Sequence, residues 1–281
     1  YVLNTKDRRS EDDYFCARSC EAAGNWLEQN SPNDGPFMLF IDMFDPHEPW
    51  DAPKRFQKMY RDKYPVENYI FGYGVNMEDI REDDYPAIRD LYAAEVTFSD
   101  YVLGRFFDRI RKLGLWDNTI IAFSTDHGTH LGEDGCVQKQ AKNLKSCITK
   151  IPLIVRHPDG STRGKRIDQY VSHVDFMPTF LSMLGVEGHT GMDGRNAWDL
   201  VTGSERSLRD YVVSGYGNYA SVHDDRWHYF QNFKGKDPGF GPALFDVTKD
   251  AGETVNVIDR HPDVVAAMKK RICDACDVEL A

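Results

Sequence analysis

The chain lacks any run of about 18 consecutive apolar residues, the length that a membrane-spanning helix requires. It also lacks a basic excess: 34 Lys and Arg stand against 45 Asp and Glu, which gives a formal net charge of −11. A nucleic-acid-binding surface needs a local basic excess, so this balance argues against a nucleic-acid partner. No internal repeat or low-complexity segment is present. What remains is a chain of 281 residues, 41% of them hydrophobic, which is enough to build one large domain or two.

The first residues also lack the features of a translated start. Tyr1-Val2-Leu3-Asn4 includes no initiator methionine, and neither a charged-then-apolar signal peptide nor a cleavage site follows. We therefore expect the chain to begin within a longer polypeptide. On this expectation, the segment that would decide the cellular compartment is not in the sequence.

The six cysteines do not identify a redox compartment. Cys16 and Cys20 lie four positions apart in a predicted helix, where their side chains are neighbours but poorly placed for a disulfide. Cys273-x-x-Cys276 has the spacing of half a zinc site or of a redox pair, but no second Cys-x-x-Cys accompanies it. We interpret this pair as structural and leave the metal or redox role open as the alternative.

The most informative segment is an apolar strand that ends in a polar loop. Residues 119–124 are mostly apolar or β-branched, and they lead into Asp126 and His127. A carboxylate beside an imidazole, at the end of a strand, is a common place for a metal or catalytic site in α/β enzymes. Gly128 follows and lets the backbone turn sharply or approach a neighbour closely. The sequence predicts two metal ligands here, with an ordinary polar turn as the alternative.

Hydrophobic periodicity predicts an α/β chain. The apolar runs 36–44 and 151–155 are typical of strands buried on both faces of a parallel sheet. After residue 200 the apolar segments become short and turn-separated, which predicts a small antiparallel sheet. We therefore place an α/β domain over residues 1–200 and a small subdomain over residues 201–281. Predicted helices cover residues 11–29, 86–113 (with Val96 among its apolar positions), 175–184 and 261–273, and predicted strands of the small sheet cover 211–214, 219–222, 227–230 and 243–247.

Two further groups of polar residues are open to more than one interpretation. Ser172, His173 and Asp175 are interpreted first as residues that begin a helix, with a catalytic role as the less favoured alternative. The lysines that follow the loop of Asp126 and His127 predict either a local positive pocket or a solvated loop. These lysines are Lys139, Lys142, Lys145 and Lys150.

In the order of its segments, the chain resembles the sulfatases of the alkaline-phosphatase superfamily. Residues 36–53, which contain Phe-Asp-Pro-His-Glu-Pro-Trp, are similar to a strand and an Asp-Pro-His segment of that family. Residues 125–133 resemble its metal loop, and Lys139 falls where the family has a substrate-binding lysine. The resemblance covers most of residues 10–260. Further matching segments are 94–119, 151–154, 171–179 and 243–256.

The resemblance implies a fold, an activity and a missing part. The fold would be an alkaline-phosphatase-like mixed, mostly parallel sheet flanked by helices, followed by a small C-terminal antiparallel α+β subdomain. The activity would be hydrolysis of a small-molecule or glycan sulfate ester. The family's nucleophile, a formylglycine within Cys/Ser-x-Pro-x-Arg, has no counterpart in this chain, and neither has its first pair of metal-binding aspartates. We expect both upstream of this chain, which alone would then be inactive.

The resemblance also assigns roles to residues. Asp126 and His127 would be ligands of a divalent cation, Ca²⁺ being the usual metal of the family and Mn²⁺ an alternative because imidazole is among its ligands. Together with Lys139, the cation would neutralise charge on the sulfate oxygens. His47 would hydrogen-bond the sulfate or assist the leaving group. His130 would either reach the substrate or face solvent.

Two alternatives to a sulfatase stay open. One is a phosphodiester or phosphonate monoester hydrolase of the same superfamily, and the other is a non-catalytic fragment or binding module. The resemblance slightly favours a periplasmic or extracellular location over a cytoplasmic one. Nothing in the sequence indicates an oligomeric state.

Overall fold

The computed structural model describes residues 5–31, 35–61, 80–140, 143–186, 190–233 and 241–276. They belong to two compact units, residues 1–119 with 131–138 and residues 120–130 with 139–281. The domain boundary predicted near residue 200 falls inside the second unit and stays a prediction. Across the described ranges, no helix combines the length and the apolar character that crossing a membrane requires.

The first unit is mainly helical. It contains α1 (Phe15–Asn30), α2 (Lys54–Tyr60) and α3 (Tyr85–Lys112), and α1 and α2 both pack on α3. Proline in the first turn of α3 leaves no hydrogen bond unmade, because that amide has no partner within the helix. Basic residues in its last turn complement the helix dipole. One-turn 3₁₀ helices of this unit lie at Glu11–Asp13, Glu82–Asp84, Trp116–Asn118 and Glu133–Gly135.

The core of the first unit forms along one stripe of α3. Phe98, fully buried in this stripe, packs edge-on against Tyr14 with ring centroids 5.0 Å apart. Glu95 lies in the same stripe and is 1% exposed, whereas Val96, predicted to be on the apolar face, is 41% exposed. At this point of the helix the buried stripe runs through Glu95 in place of Val96, and a carboxyl group lies within it. Its buried members are Ile88, Leu91, Glu95, Phe98, Val102, Phe106 and Ile110.

The strand predicted over residues 36–44 is wrong. The described residues 35–44 are irregular and pair with no strand in the described part of the chain. Met38 and Phe40 are each 80% exposed. A strand needs a neighbour to take up its backbone N–H and C=O groups, and apolar composition alone does not supply one.

The second unit begins with a thin sheet. β1 (Ile121–Ser124) pairs antiparallel with β4 (Leu153–Arg156), with Ser124 opposite Leu153. The parallel arrangement predicted for these strands thus has no counterpart among the described residues. Phe123 is 40% and Ile154 63% exposed, so the apolar side chains of this sheet are only partly covered. The other elements of this unit are α4 (Ser146–Thr149), the 3₁₀ turn His173–Asp175, α5 (Phe176–Met183) and α6 (Trp198–Thr202). β2 (His130–Leu131) pairs with β3 (Val137–Gln138) in the segment that belongs mainly to the first unit.

The predicted C-terminal antiparallel sheet is confirmed. Its strands are paired in chain order as a meander, and Gly217, with φ 57°, opens the two-residue turn between the first two. Val222, Tyr229 and Leu244 are fully buried against Met268 and Ile272 of the last helix. The sheet and helix therefore form one dense core. The elements are β5 (Tyr211–Tyr216), β6 (Tyr219–Asp224), β7 (Trp227–Asn232), β8 (Ala243–Asp246) and α7 (Pro262–Cys276), with a 3₁₀ turn at Ile258–Arg260.

The cysteines make no disulfide in the structure. Cys16 and Cys20 are buried in α1, and none of the six thiols is joined to another. Burial raises the pKa of the Cys20 thiol to about 11, which makes it a poor nucleophile. Cys273 is partly buried and Cys276 is exposed near the end of α7, so the structural interpretation and the metal or redox alternative both stay predictions.

Candidate active site

The two predicted metal ligands stand in the loop that leaves β1. The side chains of Asp126 and His127 are 81% and 42% exposed, and Asp126 Oδ2 lies 3.4 Å from His127 Nε2. His127 Nδ1 lies 2.8 Å from the carbonyl oxygen of Gly128. Because a carbonyl oxygen accepts only, Nδ1 must carry the proton, and Nε2 then presents its lone pair beside the carboxylate.

This arrangement fits a shared cation. Two ligand atoms about 2.3 Å from one ion and at right angles to each other are roughly 3.3 Å apart, close to the separation of Asp126 Oδ2 and His127 Nε2. The other oxygen of Asp126 accepts the His127 backbone amide at 2.9 Å, which fixes the carboxylate. In the part of the chain that the structure describes, no three or more His, Cys, Asp or Glu side chains form a metal-binding group. As a metal site, Asp126 and His127 would therefore need further ligands from elsewhere.

The loop of residues 125–128, called the metal loop from here on, is held on both sides by hydrogen bonds to backbone atoms. The ring Nε2 of His173 donates to the carbonyl oxygen of Thr125 at 2.8 Å. On the other side, the amide of Gly128 donates to the carbonyl oxygen of Ile148 in α4 at 2.8 Å. A Cβ on Gly128 would lie 1.9 Å from the carbonyl oxygen of Cys147, so the approach requires glycine.

Ser172 and Asp175 have the predicted role of beginning a helix. The two residues form a capping box, in which Asp175 Oδ2 accepts a hydrogen bond from the Ser172 amide at 2.7 Å. Asp175 is fully buried and also accepts two hydrogen bonds from the guanidinium of Arg209. Burial alone would raise its pKa, but the hydrogen bonds from Arg209 and from two backbone amides lower it. The carboxylate thus stays charged as part of the scaffold.

The lysines after the metal loop do not share one environment. Lys139 directly follows β3 and is partly buried, and Lys150 is exposed. Lys145 is 5% exposed and donates its ammonium group to the carbonyl oxygen of Glu253, so the solvated-loop interpretation is wrong for this residue. Lys142 lies outside the described residues. The substrate-binding role of Lys139 stays a prediction.

His130 is fully buried at the start of β2. The alternative in which it faces solvent is therefore wrong. Its role as a substrate ligand stays a prediction.

In the first unit, His47 stands in a tightly held loop. Its ring stacks on Phe44 with centroids 4.1 Å apart, and its Nδ1 lies 2.7 Å from the carbonyl oxygen of Glu48. Since that oxygen can only accept, Nδ1 carries the proton, and Nε2 is the basic nitrogen of the neutral ring. Trp50 closes the loop by donating its indole N–H to the carbonyl oxygen of Pro46 at 3.0 Å. The orientation suits a hydrogen-bonding or proton-transfer role at Nε2.

A pair of buried carboxyl groups supports this loop. Burial and the neighbouring carboxyl group of Asp45 raise the pKa of Glu95 well above its ordinary value. Glu95 Oε2 and Asp45 Oδ2 are buried and meet no hydrogen-bond donor among the described residues. A proton on one of the two carboxyl groups turns one acceptor into a donor, so the two groups can share it. Asp45 precedes His47 by two residues, so this contact ties the His47 loop to α3.

Three supports of the metal loop were not assigned that role from the sequence: His173, Lys145 and Glu253. Each acts through a contact that is distant in the chain, 48 residues for His173 and Thr125 and 108 for Lys145 and Glu253. Local periodicity carries no information on such pairs. The signal that could have pointed to Glu253 is its place within the C-terminal segment that resembles the sulfatases.

Comparison with protein families identifies two matches. The profile described as Sulfatase matches residues 4–186, which is more than half of the chain. The profile described as N-sulphoglucosamine sulphohydrolase, C-terminal, matches residues 132–277. Between them the two matches include all of the candidate site residues.

Individual relatives agree with the profiles. The chain is 29% identical over 259 residues to a sulfatase of Formosa agariphila, covering 83% of this chain and 49% of the relative. It is 27% identical over 256 residues to an arylsulfatase of Clostridium perfringens, covering 84% of this chain and 52% of the relative. The chain thus spans about half the length of the curated relatives it matches.

A solved structure shows the fold. The phosphonate monoester hydrolase of Agrobacterium radiobacter aligns with a TM-score of 0.81 and 21% sequence identity, over 96% of this chain and 62% of that chain. The likeness confirms the expected α/β fold of the alkaline-phosphatase superfamily.

Proposed function

The chain belongs to the sulfatase family, and from that premise we propose that it is the metal-loop portion of a sulfuric ester hydrolase. The observation that carries the proposal is the pair Asp126 and His127, whose Oδ2 and Nε2 lie 3.4 Å apart where β1 ends. A carboxylate oxygen and a deprotonated imidazole nitrogen at this separation form two adjacent ligand positions for one divalent cation.

The residues of this chain divide the work as follows. Asp126 and His127 hold the cation, which when bound supplies positive charge that polarises the sulfate oxygens. Lys139 places a further point charge on a non-bridging oxygen. His47, with its proton fixed on Nδ1, hydrogen-bonds the sulfate or assists the leaving group through Nε2. We propose that a formylglycine outside these 281 residues is the nucleophile.

The identity of the cation follows from the donor chemistry. Ca²⁺ prefers oxygen ligands, and the carboxylate of Asp126 suits it. An imidazole in the same site favours Mn²⁺ as the alternative. We propose Ca²⁺ first, and a competition titration of the two cations distinguishes them.

The proposed substrate is a sulfate ester of a sugar or of another small molecule. Support for the sugar comes from the match of residues 132–277 to the profile named for an N-sulphoglucosamine sulphohydrolase. Support for an aryl ester comes from the similarity to the Clostridium perfringens arylsulfatase. Lys139 and the metal loop recognise the sulfate group that both classes share, so the organic part must be distinguished by assay.

A second candidate function is hydrolysis of phosphonate monoesters or phosphate diesters. The observation that favours it is the structural likeness to the Agrobacterium radiobacter enzyme, with a TM-score of 0.81. At 21% identity this likeness bears on the fold alone, so the sulfatase proposal stands first.

The test begins with the coding sequence upstream of the codon for Tyr1 and continues with the complete translation product. We expect a pair of aspartates and a Cys/Ser-x-Pro-x-Arg motif in that upstream sequence. The product is then assayed with an aryl sulfate, a sulfated glucosamine, a phosphate diester and a phosphonate monoester. Faster hydrolysis of one of the sulfates supports the proposal. Preference for the phosphorus esters favours the second candidate, and an authentic start at Tyr1 with no turnover indicates a non-catalytic relative.

We also propose that the protein is exported to the periplasm or the extracellular space. The support is the family membership, since many sulfatases act outside the cytoplasm. Cell fractionation with an antibody to residues of α7 tests this location, and recovery from the cytoplasm alone would contradict it.

A further inference from the structure

Glu253 combines a strained backbone with a buried charge. Its φ is 54°, in the left-handed region that favours glycine, and its side chain is 3% exposed. This backbone conformation is destabilising for a residue other than glycine unless the contacts of the residue compensate. The contacts of the carboxylate are therefore the features to examine.

The Glu253 carboxylate joins the C-terminal sheet to the segment that follows the metal loop. Oε1 accepts the Nδ1–H of fully buried His228 in β7 at 2.7 Å. The same carboxylate accepts the amide of Ser146 at 3.0 Å and its hydroxyl at 2.5 Å. Burial alone would raise the pKa of Glu253, but the hydrogen bond and charge of His228 and the hydrogen bonds from Ser146 lower it to about 2. The group is charged across the physiological range.

This contact caps α4 from a distance. Ser146 is the first residue of α4, and the preceding Lys145 makes no side-chain cap of its own. The first amides of a helix have no partner within the helix, and a carboxylate at this end also meets the favourable end of the helix dipole. Lys145 donates to the backbone carbonyl of Glu253 as well and lies 4.9 Å above the ring of Phe245 in β8. Glu253 thus contacts both Lys145 and Ser146 at the start of α4.

The same short helix carries the metal loop on its other side. The Gly128 amide donates to the carbonyl oxygen of Ile148, and the Gly128 α-carbon lies against the backbone of Cys147. Because α4 spans four residues, a displacement at Ser146 moves Cys147 and Ile148 with it. Gly128 immediately follows His127, so the displacement reaches the metal ligands.

We propose that Glu253 is a positioning residue, which fixes α4 against the C-terminal sheet and through α4 holds Asp126 and His127 in the geometry that binds the cation. This inference rests on the proposed function for the role of the metal and on the hydrogen bonds above for the coupling. It gives the small C-terminal sheet a part in building the site, although none of its strands contributes a candidate ligand.

The test compares Glu253→Gln with the wild type in the complete translation product. The Gln side chain is nearly isosteric, but it turns one acceptor into a donor that faces Ser146. Asp246→Asn is the matched control, because it removes a carboxylate of the same sheet that accepts hydrogen bonds from Arg226 and Thr248. Hydrogen exchange in residues 120–130 and 143–150 reports on the coupling without metal. Calorimetric titration with Ca²⁺ and with Mn²⁺ reports on the site.

We expect Glu253→Gln to raise exchange about tenfold or more in these two segments, since it replaces the charged acceptor of the Ser146 hydrogen bonds, while β5–β8 keep their protection. The metal Kd should rise about 10- to 100-fold. The Asp246→Asn control should change neither quantity. Wild-type exchange in residues 120–130 of the Glu253→Gln variant would overturn the proposal.

A second variant covers the case in which Glu253→Gln loosens the whole sheet. Ser146→Ala removes the hydroxyl contact and leaves Glu253 in place, and we expect about threefold faster exchange in residues 120–130. Unchanged exchange in this variant would also overturn the proposal. If the wild-type protein binds neither cation, the proposed function fails, and the exchange data still decide whether Glu253 positions the loop.

Discussion

Two apolar segments of similar composition differ in burial and in strand pairing in this molecule. Residues 36–44 form a nearly continuous apolar run, yet Met38 and Phe40 are each 80% exposed and the run pairs with no described strand. β8, Ala243–Asp246, is as apolar, and all four of its residues are buried beside β7. The difference teaches that composition gives the capacity to form a strand, while a neighbouring strand and a covering helix decide whether one forms.

The same contrast explains how the metal loop is held. β1, from which the loop leaves, belongs to a two-stranded sheet with partly exposed apolar side chains. Such a pair is marginal by itself. The loop is instead held by His173 and by α4, and α4 is held by Glu253 of the densely packed C-terminal part. A poorly covered strand can therefore carry well-positioned ligands when its loop is fixed from elsewhere.

The sharpest way to break this comparison is a pair of matched truncations in the 281-residue chain. Leu244→Ala removes a fully buried side chain of β8 and should lower the free energy of unfolding by about 2–5 kcal/mol. Phe40→Ala removes a larger side chain but should change it by no more than about 0.5 kcal/mol. Urea unfolding followed by tryptophan fluorescence measures both.

Equal losses from the two truncations would show that residues 36–44 are packed, and the contrast would fail. Repeating Phe40→Ala in the complete translation product sharpens the result. A large loss there alone would mean that residues outside these 281 cover the run.

The contact between the metal loop and α4 gives the next largest effect. Gly128→Ala places a Cβ within 1.9 Å of a backbone oxygen, so the loop must move. We expect the Kd for Ca²⁺ or Mn²⁺ to rise about 100-fold with the circular dichroism spectrum unchanged. Gly104→Ala is the control, because a Cβ at that position in α3 meets nothing within 4 Å.

The smallest effect is expected at the buried carboxyl pair of the first unit. Because the pKa of Glu95 is raised in the folded state, Glu95 lowers stability as pH rises from its unfolded pKa, about 4.5, toward the folded value. Gln imitates the protonated form and does not titrate. The groups that face Glu95 are Asp45, Asp51, Tyr14 and Cys16, the first two of them acidic.

At pH 7.5 we expect Glu95→Gln to match the wild type or to exceed it by about 1 kcal/mol in free energy of unfolding. At pH 4.5 the difference should shrink. Glu82→Gln, at an exposed glutamate, controls for the loss of one charge. A destabilisation by Glu95→Gln at pH 7.5 would mean that the charged carboxylate is required, contrary to the shared-proton arrangement.

Local sequence patterns predicted the elements whose stability is local. α3, α7 and β5–β8 were all expected, because helical periodicity and short turn-separated strands are visible within the segments themselves. The burial of Glu95 in place of Val96 was not expected, because hydrophobicity places Val96 inside and Glu95 outside. Burial and a neighbouring carboxyl group that is distant in sequence raise the pKa of Glu95, and no window of the sequence contains that information.

For the site, sequence reasoning pointed to the candidate ligands but not to the contacts that support their loop. Asp126, His127 and Gly128 are consecutive in the sequence, so their proximity follows from the sequence itself. The burial of Lys145 and His130 depends on the tertiary structure. The capping of α4 by Glu253 joins residues 107 positions apart. Such long-range hydrogen bonds follow from the fold, and in a single sequence a resemblance is the available hint.

The most direct measurement of the central claim is the metal affinity of the complete translation product before and after Asp126→Ala. Asp168→Ala, at an exposed aspartate, removes the same charge elsewhere and serves as the control. We expect calorimetric titration with Ca²⁺ or Mn²⁺ to give tight binding by the wild type and the control, and binding about 100-fold weaker or absent in Asp126→Ala. Equal affinity of Asp126→Ala and wild type would contradict the assignment of this loop as the metal site and the function proposed from it.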